Sequence, residues 1–151
     1  MSIGLLNGDI KNTIMIQEDY VSFDTAKLLK EKGFNETCRA FWKEWNGEIS
    51  LCDCNSSHTF DYCHNTMLEN YNDSEETNIA APTLQSAMKW IREEKHWYIQ
   101  VSIQNDGTYI GYIYRTDGFP YVGWDKRRVK ETPEEACEAA IKYCLQNLIQ
   151  I

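Results

Sequence analysis

The sequence predicts an α+β fold in which an antiparallel sheet carries helices on one face. Three observations predict it. The final stretch, from Thr132, has the start signals and apolar period of a long helix. Residues 97–103 alternate apolar and polar and run into Asn105, Asp106 and Gly107, the pattern of a strand entering a tight turn. Nearer the amino terminus, a capped helical stripe precedes a second pair of strands joined by Asn46 and Gly47. The expected order is helix and hairpin, then helix, strand, strand, a possible third strand, and helix.

Taken in order, residues 1–19 read as an extended amino-terminal segment without the basic region, apolar core and small-residue site of a secretion signal. Ser22 is placed to cap a helix over Phe23 to Lys32, with Phe23, Ala26 and Leu29 as its buried stripe. Gly33 is placed to take the left-handed conformation that ends it, and Phe34 to pack back on Leu29. Cys38 to Trp45 and Glu48 to Cys52 form the expected first hairpin. Residues 53–81 are rich in Asn, Ser, Thr and acids and read as a long loop or insertion, with a short helix near Tyr62 to Asn70.

Residues 82–151 form the expected core module. Leu84, Ala87, Met88 and Ile91 give a helical stripe just after Pro82. Trp97, Ile99, Val101 and Ile103 face one side of a strand, Thr108 to Arg115 return antiparallel, and Gly118 with Pro120 turns the chain toward a third strand at Tyr121, Val122 and Trp124. In the last helix Thr132 caps, Pro133 suits the first position, and Glu135 completes a capping box. Cys137, Ile141, Cys144, Leu145 and Leu148 make its core stripe, while Glu134, Glu138, Lys142 and Gln146 make its wet face.

A chain of 151 residues fits one domain, which buries about 70% of its unfolded surface. With 42% hydrophobic and 13% aromatic residues it has material for a core. Acidity is uneven. Residues 1–81 hold 6 Lys and Arg against 14 Asp and Glu, whereas residues 82–151 hold 9 of each, so the net charge of −8 lies in the first part. That balance disfavours loose contact with phosphate backbones or anionic lipid. No run of about 20 apolar residues offers a membrane span. A cytoplasmic address is the expectation, and there six cysteines are thiols or metal ligands rather than disulfides.

Three segments carry a resemblance: VSFDTAKLLKEKGFNETC at 21–38, APTLQSAMKWIRE at 81–93 and PEEACEAAIKYCLQNLI at 133–149. In these the chain resembles a group of small uncharacterised proteins of gut Bacteroidales bacteria and their phages. The resemblance covers most of the chain outside residues 46–80. It implies a phage or mobile-element context and assigns no site.

Four constellations carry possible chemistry. Cys52, Cys54, His58, Cys63 and His64 place five ligand-type residues within thirteen positions, a set that zinc would suit, although one intervening residue between Cys52 and Cys54 is tighter than the usual spacing. Without zinc no cofactor is implied. Cys63 beside His64 or His58 offers a thiol and a base but no group to orient them, so no catalytic residue is assigned. Lys126, Arg127, Arg128 and Lys130 precede the last helix in an element order shared with double-stranded-RNA-binding modules, yet Glu131, Glu134, Glu135 and Glu138 follow at once, which favours a solvated basic loop. Tyr98, Tyr109, Tyr112, Tyr114, Tyr121 and Trp124 crowd the second hairpin; those alternating with the core positions form either an exposed binding face or a second packed one. The sequence thus points to a small soluble, non-catalytic interaction protein binding a protein partner or a second copy of itself. The candidate contacts are Tyr112, Tyr114, Trp124, Lys126, Arg127 and Arg128. A nucleic-acid or nucleotide-binding module is the alternative and a zinc-stabilised interaction domain the next.

Overall fold

The computed structural model of the chain describes residues 19–54, 61–70, 75–117 and 121–150. The expected amino-terminal segment therefore lies outside the described residues up to position 18, and His58, Gly118 and Pro120 do as well. The elements are α1 (Phe23–Glu31), β1 (Ala40–Trp45), β2 (Glu48–Asp53), α2 (Asn65–Glu69), β3 (Glu76–Ala80), α3 (Leu84–Lys95), β4 (Trp97–Ile103), β5 (Tyr109–Arg115), β6 (Tyr121–Val122), a 3-10 turn (Lys126–Arg128), β7 (Val129–Lys130), and α4 (Pro133–Tyr143) running into a π turn (Cys144–Leu148). The fold is α+β, with every strand pair antiparallel.

The local signals act as the residues dictate. Ser22 and Thr132 accept the amides of Thr25 and Glu135 at 3.2 and 3.1 Å, satisfying donors that a helix start leaves free. Phe34 donates to Leu29 O and Gly33 to Lys30 O, the paired closure of a helix whose next residue is left-handed, and Gly33 takes φ 98°. Asn46 and Gly47 sit at φ 53° and 79°, the two positive angles that a two-residue hairpin turn needs. At the end of α3, His96 is left-handed as well, φ 66°, and folds β4 straight back along the helix it leaves.

Strands expected in one sheet divide into two. The first has the order β2-β1-β3; in the second, β5 pairs with β4 along one edge and with β6 and β7 along the other. β3 lies within the segment expected to be loop. It aligns Ile79 with Trp42 and Ala80 with Phe41, and so completes the first sheet from nearby chain before Pro82 begins the next helix. Partners in register share a face, so Phe41 and Ala80 bury one face of this sheet while Ile79 and Trp42 occupy the other. The Trp42 face meets α1: Trp42 Nε1 donates to Val21 O at 2.9 Å, and the rings of Trp42 and Phe23 lie edge to face at 6.3 Å.

Two polar side chains, Asn65 buried and Glu138 half-buried, join the layers. Asn65, at the start of α2, donates to Phe34 O at 2.8 Å and accepts from Ala80 N at 2.9 Å, linking the loop after α1 to β3. Glu138, expected on the wet face of the last helix, instead reaches the start of α1. Its carboxylate accepts from the hydroxyls of Ser22 and Thr25 and from Ser22 N, a favourable place for negative charge because the first amides of a helix have no partner within it. In the last helix Cys137, Ile141, Cys144 and Leu145 are buried as the stripe requires. The π turn then inserts extra chain per turn and advances the stripe by one residue, so that Ile149 is buried and Leu148 only half so.

Candidate interaction surface

Register places the aromatic residues. In β4 and β5, Tyr98 lies opposite Tyr114 and Gln100 opposite Tyr112, so these four share the face turned away from Trp97, Ile99 and Ile113, which are buried. α4 packs on the buried face so closely that Gly111 of β5 lies directly under Ala140. On the other face Tyr98 is 42% exposed and its ring lies 6.4 Å from that of Tyr114, while Tyr112 and Tyr114 are half-buried. Tyr109, by parity, belongs with Ile103 on the α4 side.

Trp124 does not extend a strand; it stands in the loop after β6, 56% exposed, its Nε1 donating to Gln104 Oε1 at 2.7 Å. Gln104 in turn donates to Thr108 Oγ1 at 3.0 Å, so the indole is held at the turn of the second hairpin. This end of the sheet also bears Ile103, 66% exposed.

The basic run is divided by the fold. Asp125 accepts from Arg127 N at 2.9 Å and from Arg127 Nη2 at 2.6 Å, and these bonds hold its carboxyl down at about 2. Arg127 is thus exposed but paired with an acid, and Lys126 is exposed beside it. Arg128 turns inward. Only 2% exposed, it donates to Gly111 O and Gly123 O and lays its guanidinium 5.2 Å from the centre of the Tyr143 ring. Of the three cations singled out, one is therefore an interior cross-link that a phosphate does not reach. A charge run in sequence carries no sign of which member will be buried.

The cysteine and histidine set is rearranged in the same way. Cys54 and Cys63 hydrogen-bond through their thiols, and the backbone of Cys63 pairs with that of Cys38 at 2.7 and 2.8 Å. Cys52 is half-buried on β2 opposite Phe41. His64 faces elsewhere: its Nδ1 accepts from Met67 N at 3.3 Å as the cap of α2 and lies 3.2 Å from Asn35 Oδ1. Among the described residues no group of three or more Cys, His, Asp or Glu is placed to hold a metal ion. Burial pushes the Cys38 thiol up to about 12 and raises those of Cys54 and Cys63 above the ordinary 9.0. Cys137 and Cys144 are likewise pushed up by burial to about 12.

These thiols hold their protons more tightly folded than unfolded. The stability they lend is complete below pH 9.0 and drains away only as pH rises toward 12. Thiolate is the reactive form. At about pH 8 an aromatic disulfide reagent is therefore expected to modify Cys52 rapidly and the other five only as the chain unfolds. Counting fast thiols by mass spectrometry checks this, and a second fast thiol on folded protein would contradict it.

The structure also shows a feature that alternation in the sequence does not reveal. A cleft of about 460 Å³ lies between α3 and β4, with Lys89 and Arg92 on its helix side. Set against family models, curated proteins and solved structures, the chain matches none. Among the described residues no helix is long and apolar enough to cross a membrane.

Proposed function

We propose that this chain is a non-catalytic interaction protein which holds a protein partner, another protein or a second copy of itself, against the outer face of β4 and β5. The observation that supports this reading is the grouping of Tyr98, Tyr112 and Tyr114 with Gln100 on one face, while the opposite face is buried under α4. Tyrosines present broad contact area at small conformational cost and a hydroxyl at the rim, which is why interfaces are rich in them. Trp124, held to Gln104 at the turn of the hairpin, adds exposed aromatic area at one end of the sheet. The resemblance to phage and Bacteroidales proteins fits such a module with the business of a mobile element. For nucleic-acid binding the fold withdraws Arg128 into the interior and pairs Arg127 with Asp125, a weaker basis than the sequence offered.

The test is a photo-crosslinker in place of a surface tyrosine. Tyr98→p-benzoylphenylalanine is expected to yield a discrete adduct in cells. The same substitution at Tyr62, 51% exposed beside Cys63, is expected to yield none. Adducts at neither position on folded protein would remove the reading. A salt-sensitive shift of labelled RNA, lost on replacing Lys126 and Arg127, would put the nucleic-acid alternative in its place.

A further inference from the structure

The hydrogen bonds at the two ends of the second hairpin decide which backbone groups of β4 are already engaged. Gln104 donates its amide to Thr108 O at 2.7 Å, and His96 O accepts from Thr116 N at 3.0 Å. In an antiparallel pair, residues that exchange bonds with the neighbouring strand alternate with residues whose N–H and C=O point the other way. Even-numbered positions from 96 to 104 therefore face β5. Ile99, Val101 and Ile103 aim their amides and carbonyls outward. The order β4-β5-β6 makes β4 the border of its sheet, and no strand among the described residues pairs with that side.

Borders of this kind are commonly blunted by charge, proline or a bulge. β4, with the sequence WYIQVSI, carries neither charge nor proline, and its seven residues pair with β5 without interruption. Beside it runs the cleft, in which Met88, Lys89 and Arg92 of α3 face Tyr98 and Ile99 of β4. Tyr98 and Ile99 point to opposite faces of the sheet, so a cleft that touches both opens at the border itself.

We propose that this border is a docking groove for an extended acidic peptide segment, which adds to β4 as a further strand and sets its carboxylates against Lys89 and Arg92. The assignment deepens the interaction reading and rests on it. The cleft is lined by two cations and no carboxylate, in a chain whose net charge is −8. Arg92 has an exposed Glu93 at 3.6 Å, a contact too wet to neutralise it. A second copy placed edge to edge would bring another Lys89 and Arg92 to the same border, so opposite charge marks a different partner. Main-chain bonds from Ile99, Val101 and Ile103 supply the affinity, and alternate side chains of the guest, spaced by two, meet the helix.

The probe is a fluorescein-labelled peptide of alternating glutamate and valine, with lysine replacing glutamate in its control, titrated by polarisation. Binding of the glutamate peptide alone is expected, weakened by salt and by about tenfold in the Lys89→Glu, Arg92→Glu variant. Val101→Pro should abolish it while the fold persists, because the amide it deletes points away from the β4–β5 ladder, where an edge strand tolerates proline. Hydrogen exchange gives the second measurement: the amides of Ile99, Val101 and Ile103 should exchange quickly in free protein and slowly with peptide, whereas those of Gln100 and Ser102 stay slow throughout. Equal binding of both peptides, or binding indifferent to Val101→Pro in a folded variant, overturns the proposal, as does protection of the odd amides that rises with protein concentration and no peptide. If no peptide binds but the Tyr98 crosslink forms, the groove assignment alone fails. If both fail, the interaction reading fails with it.

Discussion

Replacing Gly111 with alanine is expected to cost about 3 kcal/mol of stability, the upper part of the range for overpacked cores. A Cβ at this position would lie 2.6 Å from Ala140 Cβ and 3.2 Å from Ala136 O, with Ile99 Cγ2 at 3.7 Å. Neither close atom sits at the end of a flexible side chain. One is the first carbon of a residue on α4 and the other is its backbone, so relief requires the helix to move off the sheet. That movement would open contacts along the whole stripe of Cys137, Ala140 and Ile141, all buried. Urea unfolding of Gly111→Ala should show a lower midpoint with an unchanged slope, and heating a midpoint lower by roughly 6–12 °C. Ala140→Gly alone should cost about 1 kcal/mol through helix propensity. The two together should lose less than their sum, because the second removes the atom that the first collides with. A single variant within about 0.5 kcal/mol of the parent would show that α4 is not in such close contact.

Arg128→Ala is expected to cost a similar amount, about 3 kcal/mol, for a different reason. Alanine removes the donor from Gly111 O, which is buried and would keep its desolvation cost without a partner, and from Gly123 O nearer the surface. It also takes a cation from the Tyr143 ring. The guanidinium is itself imperfectly matched, since its Nε has no partner among the described residues, so the gain on having it is less than two full charged bonds. Arg128→Lys should recover about half the loss, because an ammonium is a point donor and cannot span two carbonyls as a fork does. Equal stability of the lysine variant and the parent, measured by denaturant midpoint, would show that the fork geometry is not what matters here. Both substitutions act on one residue of β5: Gly111 admits α4 from above and gives its carbonyl to Arg128.

Where the sequence was legible, the signal was local. Ser22, Gly33, Asn46 with Gly47, and Thr132 each act on nearby chain as their chemistry requires, while the Glu135 carboxylate accepts from the Thr132 hydroxyl instead of its amide. Alternation likewise gave the two faces of β4 and β5, and with them the tyrosine surface. What escaped reading depends on distant chain. β3 shows little alternation because its apolar residues, Ile79 and Ala80, answer to Trp42 and Phe41 far upstream. Glu138 repeats every fourth position with polar neighbours and so looks wet, until a second helix brings its bare amides to it. Arg128 differs from Lys126 and Arg127 in nothing that a residue pattern records. That no strand among the described residues borders the outer side of β4 depends on what fails to lie beside it, and composition does not encode that. The clustering of Cys54, Cys63 and Cys38, in place of His64, follows from a backbone bridge between positions 38 and 63 that spacing alone does not announce.

The contact between Glu138 and Ser22 joins residues 116 apart in sequence. A growing chain is made from its amino end, so the residues of α1 leave the ribosome well before Glu138 does. During that interval the first amides of this segment have Ser22 and water to bond. Closing so long a loop adds little entropy cost beyond that of a shorter one. It does defer one stabilising contact until α4 has emerged, which ties completion of α1 to delivery of an element more than a hundred residues later.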